Sequence, residues 1–245
     1  MHKKVDISKT HTKILAHRGY SGIAPENTEL AFETAVNFGF DGFEIDVHLT
    51  KDNQLVVIHD EDTYRTSLVK KMIKDSTLKE LKELDQAAFF KINCPKQEIL
   101  TLKELLDKFL YRISYLNIEI KTDIIVYPNI EKYLDELVKT YDDAYEKIIF
   151  SSFNFNSLKT LHELNPKWTN GFLWWTKSQF KAVNPEEIKK VCKYLHPWTE
   201  IYKKEKDNYL KLGLPFNLWT IKDAKVYEHY AKDKDVHFLI SNYKY

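Results

Sequence analysis

Four short stretches carry most of the chain's capacity for chemistry: His17-Arg18-Gly19, Glu44-Ile45-Asp46-Val47-His48, His59-Asp60 and Glu119-Ile120-Lys121. Alternate residues of a β-strand face the same side. On a strand, Glu44, Asp46 and His48 therefore point together, opposite Ile45 and Val47. Glu119 and Lys121 repeat the arrangement opposite Ile118 and Ile120. A carboxylate where a strand ordinarily carries Val or Leu costs desolvation energy unless a cation offsets it. Glu44, Asp46 and Glu119 offer only hard oxygen donors, which suit one divalent cation, Mg²⁺ or Ca²⁺, better than Zn²⁺. Arg18 can grip two oxygens at once and Lys121 supplies a point charge, so both are expected to face a phosphate. Histidine takes or gives a proton near neutrality, which makes His17 and His59 a candidate acid–base pair.

Each of these residues has an ordinary reading when taken alone. A lone histidine at a strand end is commonly a polar end-cap, and two carboxylates on one strand face commonly mark a solvated edge. Convergence on one barrel mouth is what would give them a joint role. His48 is expected to stand behind the site, holding a carboxylate or a water. His196 ends a strand before Pro197 without a carboxylate neighbour. His2, His11, His162, His229 and His237 lie off strand ends and read as surface or structural.

The elements that must position these residues follow from periodicity. Strand-like runs fall at 13–17, 43–47, 115–120, 147–150, 171–174, 193–196, 216–219 and 237–240. Helical patterns fall between most of them, at 28–38, 101–110, 130–139, 155–164, 185–191 and 224–232, with a weaker one at 201–212. Alternating strands and helices imply parallel pairing, and eight such units in a chain of this length predict a TIM (β/α)8 barrel. A further strand-like run at 54–59 follows the second strand too closely for a parallel crossover, which needs roughly a dozen residues or more. It reads as an excursion, followed by an insertion over about 60–100 that contains a short helix at 77–84 and the aromatic pair Phe89-Phe90. The expected organisation is one domain over 1–245. A doubly wound open sheet would carry a glycine-rich phosphate loop, but the chain has only six glycines and neither G-x-G-x-x-G nor G-x-x-x-x-G-K.

Composition narrows the partners. A net charge of +1 argues against bulk nucleic-acid binding, which needs a basic face. Met1 to Thr12 is polar, and no apolar run approaches the length of a membrane span. A cytoplasmic enzyme acting on a small molecule, without stable membrane insertion, is the expectation. Cys94 and Cys192 lie far apart in no metal-type spacing, so two free thiols are expected.

The chain also resembles the glycerophosphodiester phosphodiesterases. His17-Arg18-Gly19 with Ala24-Pro25-Glu26-Asn27-Thr28 resembles that family's opening motif. Phe43-Glu44-Ile45-Asp46-Val47-His48-Leu49-Thr50-Lys51-Asp52 continues it, as do Val56-Val57-Ile58-His59-Asp60 with Arg65-Thr66, and Leu116-Asn117-Ile118-Glu119-Ile120-Lys121. Fainter echoes occur at Ser151-Ser152-Phe153, His196-Pro197 and Leu218-Trp219-Thr220. The resemblance implies a TIM barrel with an insertion after the second strand, and His17 and His59 as general acid and base. It also implies Glu44, Asp46 and Glu119 as metal ligands, Arg18 and Lys121 on the phosphate, and Trp219 on the glycerol side. The implied products are sn-glycerol 3-phosphate and an alcohol. The chain departs from the family at Lys222, where Asn is common, and at Ser241-Asn242-Tyr243-Lys244, where Thr-Asp-Tyr-Pro is common. Glu26 and Asn27 read more simply as part of a helix start than as catalysts, with Asn27 or Thr28 as the cap. Three rivals remain at this level. One is a phospholipase D or sphingomyelinase-like enzyme with an apolar rim from Phe89-Phe90 and Trp174-Trp175. The second is a glycoside hydrolase using Glu44 and Glu119, and the third is a non-catalytic phosphoglycerol-binding protein.

Overall fold

The computed structural model describes residues 12–90, 92 and 94–245. His2, His11 and nearly all of the polar N-terminal stretch lie outside the described residues. Chain order begins with β1 (Lys13–His17), α1 (Glu29–Asn37), β2 (Gly42–Leu49) and β3 (Leu55–Val57). Then come α2 (Tyr64–Ser67), α3 (Leu78–Lys82), β4 (Leu100–Thr101), α4 (Leu102–Phe109), β5 (Tyr115–Ile120) and α5 (Ile130–Val138). They are followed by α6 (Ala144–Lys147), β6 (Ile148–Ser152), α7 (Phe155–Leu164), β7 (Thr169–Trp174), α8 (Lys177–Lys181) and α9 (Pro185–Val191). The last elements are β8 (Tyr194–Pro197), α10 (Thr199–Leu210), β9 (Phe216–Ile221), α11 (Ala224–Tyr230) and β10 (Val236–Ser241).

Eight of these strands run parallel in the order β1-β10-β9-β8-β7-β6-β5-β2, and β1 also pairs with β2, closing a TIM barrel. The run after β2 is the expected excursion. β3 lies antiparallel to the end of β2, with Val47 opposite Val57, and β4 lies antiparallel to β3. A short turn at Thr50–Asn53 allows this reversal: Asn53 adopts a left-handed φ of 58°, and Thr50 Oγ1 accepts from Gln54 N at 2.9 Å. Val56, Ile58, Ile73, Leu81 and Ile99 form a small apolar cluster under the insertion, apart from the main core.

Local signals account for the helices. Thr77 with Glu80, Thr101 with Glu104 and Thr176 with Gln179 form capping boxes that satisfy otherwise orphaned N–H groups. Leu102, Leu105, Leu106 and Phe109 bury one stripe of α4 at the spacing of a helix face. Phe109 and Phe32 of α1 pack against Phe43 of β2, with ring centroids 5.8 and 5.0 Å away. The helices α2, α6 and α8 escape prediction because one turn, or little more, is too short to show a period. α10 starts at Thr199, before the predicted 201, because its first turn is polar: Ile201 N and Tyr202 N both donate to Trp198 O.

The strand pleat divides the core. Outward-facing Phe43, Ile45, Val47, Ile118 and Ile120 meet the helices. Inward-facing Leu15, Ile149, Phe238 and Ile240 fill the barrel. Other inward positions are polar. Asn117 Nδ2 donates to Ser151 Oγ at 2.9 Å, and Asn217 Nδ2 lies 2.7 Å from His196 Nε2. Gly171 makes room for that imidazole, since a Cβ there would sit 2.2 Å from His196 Nε2. Cys192 is buried, and both cysteines are free thiols. Among the described residues no helix is long and apolar enough to cross a membrane.

Candidate active site

Strand register assembles the site. His17 of β1 is the register partner of Glu44 of β2, Glu44 is the partner of Asn117 of β5, and Asp46 is the partner of Glu119. One ligand oxygen from each of Glu44, Asp46 and Glu119 lies within 4.8 Å of the others, and all three side chains are buried. The three carboxylates crowd one another. Burial, reinforced by Asp46 and Glu119, pushes the Glu44 carboxyl well above the usual carboxylate range. Burial also raises Glu119, although Lys121 opposes it. For Asp46 burial is outweighed by Arg18, His59 and Lys121, and its carboxyl is held low.

The trio passes a test for a cation site. Asp46 Oδ1 is buried and without a hydrogen-bond partner among the described residues, an arrangement that ordinarily costs roughly 1–3 kcal/mol or more. Asp46 Oδ2 accepts from Asn27 Nδ2 at 3.0 Å. Glu119 Oε1 accepts from Lys121 Nζ at 2.8 Å. A cation among these three oxygen-bearing groups would relieve both the repulsion and the orphaned lone pairs.

The two histidines are oriented alike. His17 Nδ1 lies 2.6 Å from Asn242 Oδ1 and donates to that amide oxygen, leaving Nε2 3.9 Å from Glu44 Oε2. His59 Nδ1 donates to Asp60 Oδ1 at 2.6 Å. Their backing differs, one an amide and the other a carboxylate. Burial and the nearby Arg18 charge push the His17 imidazole down to about 3, so it is neutral at physiological pH. His17 sits on a barrel strand, and His59 lies just beyond β3 on the rim. Buried His48 holds that rim: its Nε2 donates to the His59 carbonyl at 3.0 Å and its Nδ1 accepts from Tyr127 Oη at 2.8 Å. Its place behind the site was expected, but its partners are a backbone carbonyl and a tyrosine rather than a carboxylate or water.

A cavity of about 330 Å³ opens over this centre. His17, Arg18, Glu44, His59, Glu119, Lys121 and Trp219 all line it, while Asp46 lies beneath, fully buried. Arg18 has a left-handed φ of 57°, and its backbone N donates to the Glu44 side chain at 3.1 Å. Its guanidinium holds Glu26 at 3.0 Å and sits 3.2 Å from Asp46 as an ion pair, yet among the described residues Nε lacks an aligned hydrogen-bond acceptor. Lys121 keeps its charge because Glu119 and Asp46 outweigh the effect of burial. Trp219 donates from Nε1 to His196 O at 2.8 Å, which fixes its ring against the wall.

Sequence reasoning missed several contributors. Asn242 and Asn27 orient His17 and Asp46, and both are contacts across the fold. Glu61 and Asp123 also line the cavity, and Phe153 and Thr220 of the fainter echoes join them, as does Trp175 of the expected apolar rim. Trp174 is buried, so only Trp175 of that pair reaches the mouth. Phe89 and Phe90 stack edge-on with each other and do not line this cavity. His196 is buried against Asn217 and acts in packing.

A closed parallel barrel with an acidic trio and two oriented histidines at the carboxyl ends of its strands defines a (β/α)8-barrel enzyme, whose site falls where such barrels build theirs. The chain belongs to the glycerophosphoryl diester phosphodiesterase family, whose sequence model matches residues 17–242, and it is a phosphodiesterase. It is 51% identical to an uncharacterised protein of Mycoplasma genitalium, over 95% of this chain and 96% of that protein. It is 36% identical to a glycerophosphodiester phosphodiesterase of Caldanaerobacter subterraneus subsp. tengcongensis, over 83% of this chain and 91% of that one. Among solved structures, an Oleispira antarctica phosphodiesterase in complex with the product sn-glycerol-3-phosphate superposes with a TM-score of 0.78. That structure is 26% identical, and the match covers 94% of this chain and 93% of the other.

Proposed function

We propose that this chain hydrolyses glycerophosphodiesters to sn-glycerol 3-phosphate and an alcohol, as one catalytic domain working in the cytoplasm on a small-molecule substrate. The observation that carries the reading is the pairing of two histidines, each tethered through Nδ1, on a cavity built over the acidic trio. Glu44, Asp46 and Glu119 would hold one divalent cation, Mg²⁺ or Ca²⁺. When bound, such an ion polarises a phosphoryl oxygen and offsets its charge.

The chain's own residues supply the rest. Arg18 and Lys121 draw the phosphate against the β1 and β5 ends and offset charge that builds on its oxygens. With Nδ1 protonated and tethered, each histidine presents Nε2 as its working nitrogen. One takes a proton from the attacking oxygen and the other delivers one to the leaving alkoxide. Trp219 forms the apolar side against which the glycerol carbons lie. The rival lipid phosphodiesterase reading draws on exposed Trp175 and Ile124 at the mouth.

A panel of glycerophosphodiesters, with lysophosphatidylcholine as the lipid arm, tests both readings. Release of glycerol 3-phosphate that stops in EDTA supports the proposal. Cleavage of lysophosphatidylcholine alone, or full activity in EDTA, would overturn it.

A further inference from the structure

Arg65 of α2 takes no part in the reading above, yet its guanidinium joins the two loops that carry the histidine and the arginine of the site. Nη1 and Nη2 donate to Glu26 Oε2 and Oε1, both at 2.7 Å. Nε donates to Asp60 Oδ2 at 2.6 Å, and Nη2 also reaches Asp60 Oδ1 at 3.2 Å. Both carboxylates are gripped by two bonds, the geometry only a planar fork provides. Each then serves a residue on the cavity: Glu26 Oε1 accepts from Arg18 Nη1, and Asp60 Oδ1 accepts from His59 Nδ1. Glu26 lies in the loop after β1, whereas Asp60 and Arg65 belong to the insertion. An unbroken chain of contacts therefore runs Arg18–Glu26–Arg65–Asp60–His59 across the mouth.

We propose that Arg65 is a positioning residue for catalysis: it acts through Asp60 to hold the His59 imidazole with Nδ1 protonated and Nε2 toward the substrate, and through Glu26 it ties that rim to the β1 loop. This inference rests on the phosphodiesterase reading for its activity assay. His59 needs such a tether because it follows a three-residue strand outside the barrel wall. His17, on a barrel strand, needs only Asn242. Among the described residues no side chain other than Arg65 holds the second oxygen of Asp60, so without Arg65 the His59 ring gains rotational freedom. A catalytic nitrogen displaced by about 1 Å can cost on the order of 10²-fold in rate.

A set of variants and one spectroscopic signal decide the matter. In Arg65→Met, kcat should fall roughly 10- to 100-fold, the size seen when a supporting hydrogen bond is lost, with KM changed by less than about 3-fold. Arg65→Lys keeps the charge without the fork and should recover only part of kcat. In a cycle with Asp60→Asn, the double variant should match the slower single variant, because both losses act through one contact. Multiplying single effects, or full recovery in Arg65→Lys, would overturn the proposal. Thermal unfolding of each variant separates misfolding from mispositioning. The His59 Nδ1–H resonance, assigned with His59→Gln, reads the tether directly: present in the wild type and lost in Arg65→Met. An unchanged resonance in Arg65→Met overturns the inference. If the wild type cleaves no glycerophosphodiester, the functional reading has failed, and the resonance still decides whether Arg65 positions His59.

Discussion

Asp46 and Glu119 are direct register partners across the β2–β5 pair, so two like charges share one buried face at the carboxyl end of the barrel. With Glu44 two residues earlier on β2, they leave Asp46 Oδ1 without a partner among the described residues. Arg18 and Lys121 supply two positive charges against these three carboxylates. The arrangement is a destabilised one that a cation would relax.

Metal binding should therefore stabilise the fold measurably. A cation bound only by the folded state at about 100 times its Kd adds roughly 2.7 kcal/mol. For a chain of this size that is an increase in Tm of roughly 5–10 °C. Differential scanning fluorimetry across Mg²⁺ and Ca²⁺ titrations checks it. Glu119→Gln should abolish the increase, and a chain whose Tm ignores both ions would contradict the assignment of the trio.

Removing either histidine should cost rate without costing the metal. In His17→Ala and in His59→Ala, kcat should drop by roughly 10²-fold or more, as for lost proton transfer, while the ion-induced Tm increase persists. Near wild-type turnover in either variant would remove that histidine from the chemistry.

His196 predicts an acid sensitivity unconnected with catalysis. Burial lowers its imidazole from the ordinary 6.5 to about 3. The unfolded chain therefore binds a proton at this residue over a window where the folded chain does not. The sign follows: stability is intact above about pH 6.5 and declines as pH falls toward 3, by about 1.4 kcal/mol per unit within the window. Urea midpoints at pH 7.5 and 5 should show a smaller loss in His196→Asn than in the wild type. An equal loss in the two proteins would contradict the assignment.

Gly171 should tolerate no side chain. A Cβ would overlap the His196 ring at 2.2 Å, and both residues sit in paired barrel strands that cannot easily move apart. Gly171→Ala should lose about 1–3 kcal/mol, the usual cost of overpacking, read as a lower urea midpoint at an unchanged m-value.

The alternation of Glu44-Ile45-Asp46-Val47-His48 was readable because side chains alternate faces on any strand, whatever surrounds it. The same local rule exposed Glu119 and Lys121, and strand–helix alternation exposed the barrel. The gap between β2 and β3, too short for a parallel crossover, showed that His59 stands on an excursion. The one-turn helices α2 and α6 carry no such period and were missed, although α2 holds Arg65.

Sequence by itself thus determined the barrel, the acidic trio and the histidine pair, because each is encoded in periodicity or motif along a few neighbouring residues. Tertiary structure alone decided what holds them in place. His17 and Asn242 are 225 residues apart, and they meet only because β10 pairs with β1 to close the barrel. Asn27 reaches Asp46, His48 reaches the His59 carbonyl, and Arg65 reaches Glu26 for the same kind of reason. Such contacts depend on the three-dimensional register of distant segments, and no local pattern of residue types records it.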